Sequence, residues 1–159
     1  MGNRAIVIFS DKDRTEFSPA VYLHWNGGPE SVYQFLDELD RRKIRGGDDL
    51  SYQSARFVHV VADFMDQDEA TGLSLGIFNG PESLEAEALE PFQQGDNGIY
   101  VVYRGGGERQ VWRFGPDGEW GVDSVEQEYR MALKSDYYTK DGGFRTLFEE
   151  QRPKISQHG

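Results

Sequence analysis

The chain has 159 residues, 28 acidic against 17 Lys and Arg side chains for a formal charge of −11, and no cysteine. That composition excludes a disulfide framework, a thiolate nucleophile and a cysteine-ligated zinc site, and its field repels nucleic acid and anionic lipid while favouring basic partners. Hydrophobic residues at 37% and aromatic residues at 13% supply the apolar volume that an acidic disordered chain lacks, so one folded domain over 1–151 is expected, with a fraying polar tail at 152–159.

Ala5-Ile6-Val7-Ile8-Phe9 is β-branched and aromatic throughout and reads as a strand buried on both faces, followed by a loop from Ser10 to Glu16. Ala20 to Trp25 alternates, with Val21, Leu23 and Trp25 on one face and Tyr22 and His24 on the other, until Asn26-Gly27-Gly28-Pro29 breaks it. Pro29 opens a helix in which Val32, Phe35, Leu36 and Leu39 form the inward stripe, and Asp37, Glu38 and Asp40 are expected on the outer face. Arg41, Arg42, Lys43 and Arg45 complement the dipole at its C-terminal end, before Gly46-Gly47.

A second helix is expected from Asp49 to Met65, with Asp48 or Asp49 near its N-cap and Phe57, Val58, Val61, Phe64 and Met65 on one stripe. Leu73–Phe78 reads as a strand, and Ser83–Leu89 as a short acidic helix stopped before Pro91. Strands at Ile99–Tyr103, Gln110–Phe114 and Glu119–Val122, joined by glycine-rich turns, predict an antiparallel meander. A helix from Ser124 to Tyr137, with Val125, Tyr129, Ala132 and Leu133 inward, and a short one at Phe144–Phe148 complete the chain. The order predicts an α+β fold, an antiparallel or mixed sheet of about five to six strands with helices packed on one face.

Charge is segregated along the chain. Between Arg56 and Arg104 there is no Lys or Arg, while Asp63, Asp66, Asp68, Glu69, Glu82, Glu85, Glu87, Glu90 and Asp96 all lie there. One reading is a solvated surface balanced in space by arginines from elsewhere. The other is a partner-binding surface, formed by Asp63, Asp66, Asp68, Glu69, Glu82, Glu85, Glu87 and Glu90, that docks on a basic protein groove with carboxylates standing in for phosphates.

Other chemistries have weaker signals. Asp63-x-x-Asp66-x-Asp68-Glu69 lacks the ligand register of a calcium loop. His59 and Asp63 share a helix face at i, i+4, which with His24 would serve a small metal-assisted hydrolase, but two ligands make no site and neither a metal nor a cofactor is assigned. Gly105-Gly106-Gly107 lacks the Lys-Ser/Thr of a phosphate loop and reads as a hairpin turn. Trp25, Trp112, Trp120, Tyr100 and Tyr103 would stack single-stranded nucleic acid only with basic neighbours, for which Arg104, Arg109 and Arg113 are the candidates. Core packing or a homodimer interface is the better use of these rings, and no direct nucleic-acid binding is expected. Met1-Gly2-Asn3-Arg4 has no signal-peptide pattern and no stretch reaches the ~20 apolar residues of a membrane span, so a cytoplasmic protein with no catalytic residues is expected.

Asn3-Arg4-Ala5, Val21-Tyr22-Leu23-His24-Trp25-Asn26-Gly27-Gly28, Ser31-Val32 with Phe35-Leu36, and Asp96-Asn97-Gly98-Ile99-Tyr100-Val101 together resemble small proteins encoded by phages, prophages and other mobile elements. The resemblance covers about the first two-thirds of the chain and transfers no catalytic residues. It implies a bacterial host cytoplasm and a non-enzymatic inhibitor of bacterial defence, in particular an anti-CRISPR protein that occupies a basic surface of a CRISPR-Cas effector complex and blocks DNA access or nuclease recruitment. A phage structural or assembly protein is the other reading of that setting.

Overall fold

The unbroken apolar run Ala5–Phe9 forms β1, and all five of its residues are buried, which requires a layer on each side and places the strand inside the sheet. The computed structural model describes residues 3–42, 49–65, 75–92, 96–105, 108–115 and 120–121. Within them the order is β1, β2 (Ala20–Leu23), α1 (Pro29–Arg41), α2 (Leu50–Met65), β3 (Leu75–Phe78), α3 (Ala86–Leu89) with a 3₁₀ turn at Glu90–Phe92, β4 (Ile99–Gly105), β5 (Glu108–Phe114) and β6 (Trp120–Gly121). Among the described residues the sheet has six strands in the order β3-β2-β1-β4-β5-β6. β1 and β4 run parallel, and each other neighbour pair among the described residues is antiparallel, so the expected meander is β4-β5-β6 in a mixed α+β sheet.

Strand alternation separates two cores. Ala5, Val7, Phe9, Val21, Leu23, Tyr100, Val102 and Val111 face α1 and α2, packing on Val32, Phe35, Leu36, Leu39, Phe57, Val61 and Phe64. Phe57 makes edge contacts with Phe9 and Phe35, with ring centroids 5.6 and 6.3 Å apart. Ile6, Ile8, Ala20, Ile99, Val101 and Phe114 face the other way and are covered by Leu89 of α3, with Leu84 and Phe92 beside it. The two long helices thus share one face as expected, and the short acidic segment crosses the opposite one. Leu89 is fully buried there, worth roughly 1.5–3 kcal/mol.

Both long helices begin as their sequences dictate. Gly28 is the N-cap of α1 with Pro29 in its first turn, and the Asp49 carboxylate accepts the Tyr52 amide at 3.0 Å ahead of α2. One expectation fails on α1: Asp37 and Asp40 are exposed, but Glu38 is 3% exposed. Glu38 lies on the flank of the apolar stripe, one turn before Arg42, and the Arg41 guanidinium grips it with one bond at 2.8 Å. Arg42 continues across to Asp63 of α2 at 2.8 Å, so the flank is an interhelical ion network. On the other flank, Asp37 and Asp40 meet Arg109 and Arg104 from the β4–β5 hairpin.

β2 ends at Leu23, two residues short of the expected Trp25, and Asn26 lies in the left-handed region at φ 62° ahead of Gly27, whose amide donates to the Asn3 carbonyl at 2.8 Å. Trp25 still packs on the α1–α2 core. The α-helix at 86–89 starts later than the expected Ser83, whose hydroxyl accepts the Glu85 amide at 3.3 Å instead. The expected basic run beyond Arg42, residues 73–74 of the third strand, and the helices at 124–137 and 144–148 lie outside the described residues.

Candidate binding surface

The charge segregation seen in sequence resolves into two populations. Asp63 is half-buried on α2 and receives Arg42 at 2.8 Å and the His59 ring at 3.3 Å. Asp96 receives both the backbone amide of Arg4 at 3.0 Å and its side chain at 3.1 Å. The hydrogen bonds from Arg4 hold the Asp96 carboxyl down to about 2, below the ordinary 3.8. Both acids are therefore matched by arginines from distant sequence, as in the first of the two readings of this interval.

Glu82, Glu85, Glu87 and Glu90 form the second population. All four side chains are exposed, and none has an ion pair among the described residues. They decorate the outside of the segment that Leu84, Leu89 and Phe92 anchor to the sheet, so their backbone is held in place while their carboxylates face water. Asp66, Asp68 and Glu69 lie outside the described residues.

Beside this segment is an apolar edge with no sequence signal. Ile77 and Phe78 are 55% and 47% exposed, and they are the exposed large hydrophobic residues found among the described residues. Phe78 packs edge-on against Tyr22, centroids 6.1 Å apart, on the same face as α3. A run of Leu-Gly-Ile-Phe reads as a buried strand by composition alone, so nothing in it announces an edge.

The remaining candidates have packing and hydrogen-bond partners within the fold. His59 and Asp63 do come together on α2, but His24 makes an edge contact with Tyr22 and a tilted one with Trp25 where β2 ends. The three residues of the hydrolase reading are not assembled, and no group of three or more metal-ligating side chains occurs among the described residues. Tyr100 is fully buried and donates its hydroxyl to the Gly27 carbonyl at 2.9 Å. Trp112 and Tyr103 hold the Arg14 guanidinium at 4.7 and 4.6 Å, clamping the β1–β2 loop to the sheet. That loop is organised by Asp11: burial pushes its carboxyl up, but bonds from the Glu16 and Thr15 amides and the Thr15 hydroxyl outweigh this and hold it below its ordinary value. Arg104 and Arg109 are committed to α1, and Arg113 lies over Tyr100 and donates to the Asn97 carbonyl at 3.0 Å.

The motif-like segments meet at one end of the sheet. Asn3 donates its amide to the His24 carbonyl and accepts that of Gly27, and Asn97 bonds the Asn3 side chain and the Arg4 carbonyl. Gly98 has φ +79°, and a Cβ there would stand 2.0 Å from the Phe114 carbonyl oxygen. These contacts account for the residue types by the joining of strand ends. No helix among the described residues is long and apolar enough to cross a membrane. No family model matches the chain, and no curated protein or solved structure matches it.

Proposed function

We propose that this chain acts by binding, presenting the acidic segment Glu82–Glu90 to a basic surface of another protein. The observation that carries this reading is the contrast between Glu82, Glu85, Glu87 and Glu90, exposed and without ion pairs among the described residues, and Glu38, Asp63 and Asp96, which are each matched by arginine. Unmatched like charges on an anchored segment raise the local potential, steer a basic partner and need no rearrangement to receive it. Combined with the resemblance to proteins of mobile elements, the concrete form of the proposal is an inhibitor of the anti-CRISPR kind, occupying a basic channel of a Cas effector complex that would otherwise take DNA.

The test is a competition assay in which purified Cas effector complex is titrated with DNA in the presence of the chain. Each exposed pair contributes up to about 1 kcal/mol. Changing Glu82, Glu85, Glu87 and Glu90 together to Lys is therefore expected to weaken inhibition on the order of a hundredfold while the far-ultraviolet circular dichroism spectrum stays unchanged. Inhibition that survives the quadruple reversal would sink the acidic-surface mechanism.

A further inference from the structure

We propose that the outer edge of β3 accepts an extended, basic segment of the partner as an additional strand, an inference that rests on the binding function proposed above and names the contact through which it occurs. β3 is a terminal strand of the sheet, matched to β2 at Leu75, Gly76, Ile77 and Phe78 and with no strand on its other side among the described residues. Alternate residues of an antiparallel strand turn both their N–H and C=O to the same edge, so this edge has an unmatched ladder among the described residues. Sheet edges are ordinarily blunted by lysine, proline or a bulge, or covered by another element. The Leu-Gly-Ile-Phe edge has none of the first three, pairs residue for residue with β2, and leaves Ile77 and Phe78 about half exposed.

The chemistry of the occupant follows from the two faces of that edge. Leu75 packs on the α1–α2 core, and alternation puts Ile77 on the same side. Gly76 and Phe78 face the other side, where Tyr22 touches Phe78 and also packs on the cluster that anchors Leu84 and Leu89. Phe78 and the four glutamates therefore share one side of the sheet. An added strand with lysine or arginine at alternate positions would lay those side chains over the Phe78 ring and toward the glutamates, and its intervening apolar residues would cover Ile77. A second copy of this chain fits less well, because each copy carries a net charge of −11 and would bring like-charged surfaces together.

The experiment uses the full-length ¹⁵N-labelled chain and three short probes: a peptide alternating lysine and valine, the same peptide with alternate backbone amides N-methylated, and a peptide alternating glutamate and valine. The lysine peptide is expected to bind and to slow amide exchange at alternate residues of β3. N-methylation, which removes at least two ladder bonds and keeps the charge, is expected to weaken binding by about tenfold or more. Ile77→Lys, at a side chain already exposed, is expected to weaken it at least fivefold without shifting the melting temperature. No binding of the lysine peptide, equal binding of the methylated one, or unchanged exchange in β3 would each overturn strand addition. Equal binding of the two lysine peptides that is lost on reversing the four glutamates would leave the acidic-surface function standing, whereas equal binding of the glutamate peptide would remove the charge argument. A dimer by light scattering, with β3 amides protected before any peptide is added, would assign the edge to a second copy and overturn the proposal.

Discussion

Replacing Gly27, Gly98 or Gly76 by Ala should have effects of different size and sign, although the added atom is the same. At Gly27 a Cβ would stand 2.6 Å from the Asn3 carbonyl oxygen, 2.7 Å from the Ala5 Cβ and 2.8 Å from the Arg4 carbonyl carbon. Ala5 is fully buried and the other two atoms are backbone, so nothing there can swing aside. Relief requires β1 to shift against the loop, and overpacking of this kind costs about 1–3 kcal/mol. Gly98 combines a 2.0 Å approach to the Phe114 carbonyl oxygen with φ +79°, adding about 1–2 kcal/mol for the left-handed backbone. At Gly76 the nearest atoms, both of Tyr22, are 3.5 Å away, an ordinary contact, and restricting the unfolded chain should stabilise by about 0.4–1 kcal/mol. Urea unfolding measures all three. With a slope of about 2 kcal/mol per molar, Gly27→Ala should lower the midpoint by about 0.5–1.5 M, Gly98→Ala by more, and Gly76→Ala should raise it by a few tenths. Equal midpoints for Gly27→Ala and Gly76→Ala would refute the steric reasoning.

Two further predictions concern charge. Asp96 has a folded value of about 2 against the ordinary 3.8, so its contribution to stability is fully present above about pH 4 and is lost as the pH falls toward 2. Asp96→Asn should therefore lower the urea midpoint at pH 7 and show a smaller further loss between pH 4 and 2.5 than the parent; parallel pH profiles would contradict the Arg4 contact. Glu38→Ala removes the buried carboxylate that accepts from Arg41 and ion-pairs with Arg42 and should cost about 1–3 kcal/mol, whereas Asp37→Ala, at a carboxylate 47% exposed, should cost less than about 1 kcal/mol. Similar losses for the two in chemical denaturation would show that Glu38 is not the buried member.

Local sequence pattern determined the elements that are clearest in the chain: the unbroken apolar run Ala5–Phe9, the helical stripe Val32-Phe35-Leu36-Leu39, and the meander from Ile99 onward with its glycine-rich turns. It also marked the acidic interval and excluded cysteine chemistry, because composition and spacing are local properties. Only the tertiary structure decided which carboxylates are neutralised. Arg4 meets Asp96 and Arg42 meets Asp63 across 92 and 21 positions of chain, and no linear reading of charge contains those approaches. Burial of Glu38 depends likewise on α2 lying beside that flank of α1. The β3 edge is the clearest case: Leu-Gly-Ile-Phe has the composition of an interior strand, and its exposure follows from its place at the end of the sheet order, which is set by the pairing of β2 with β1 and of β1 with β4.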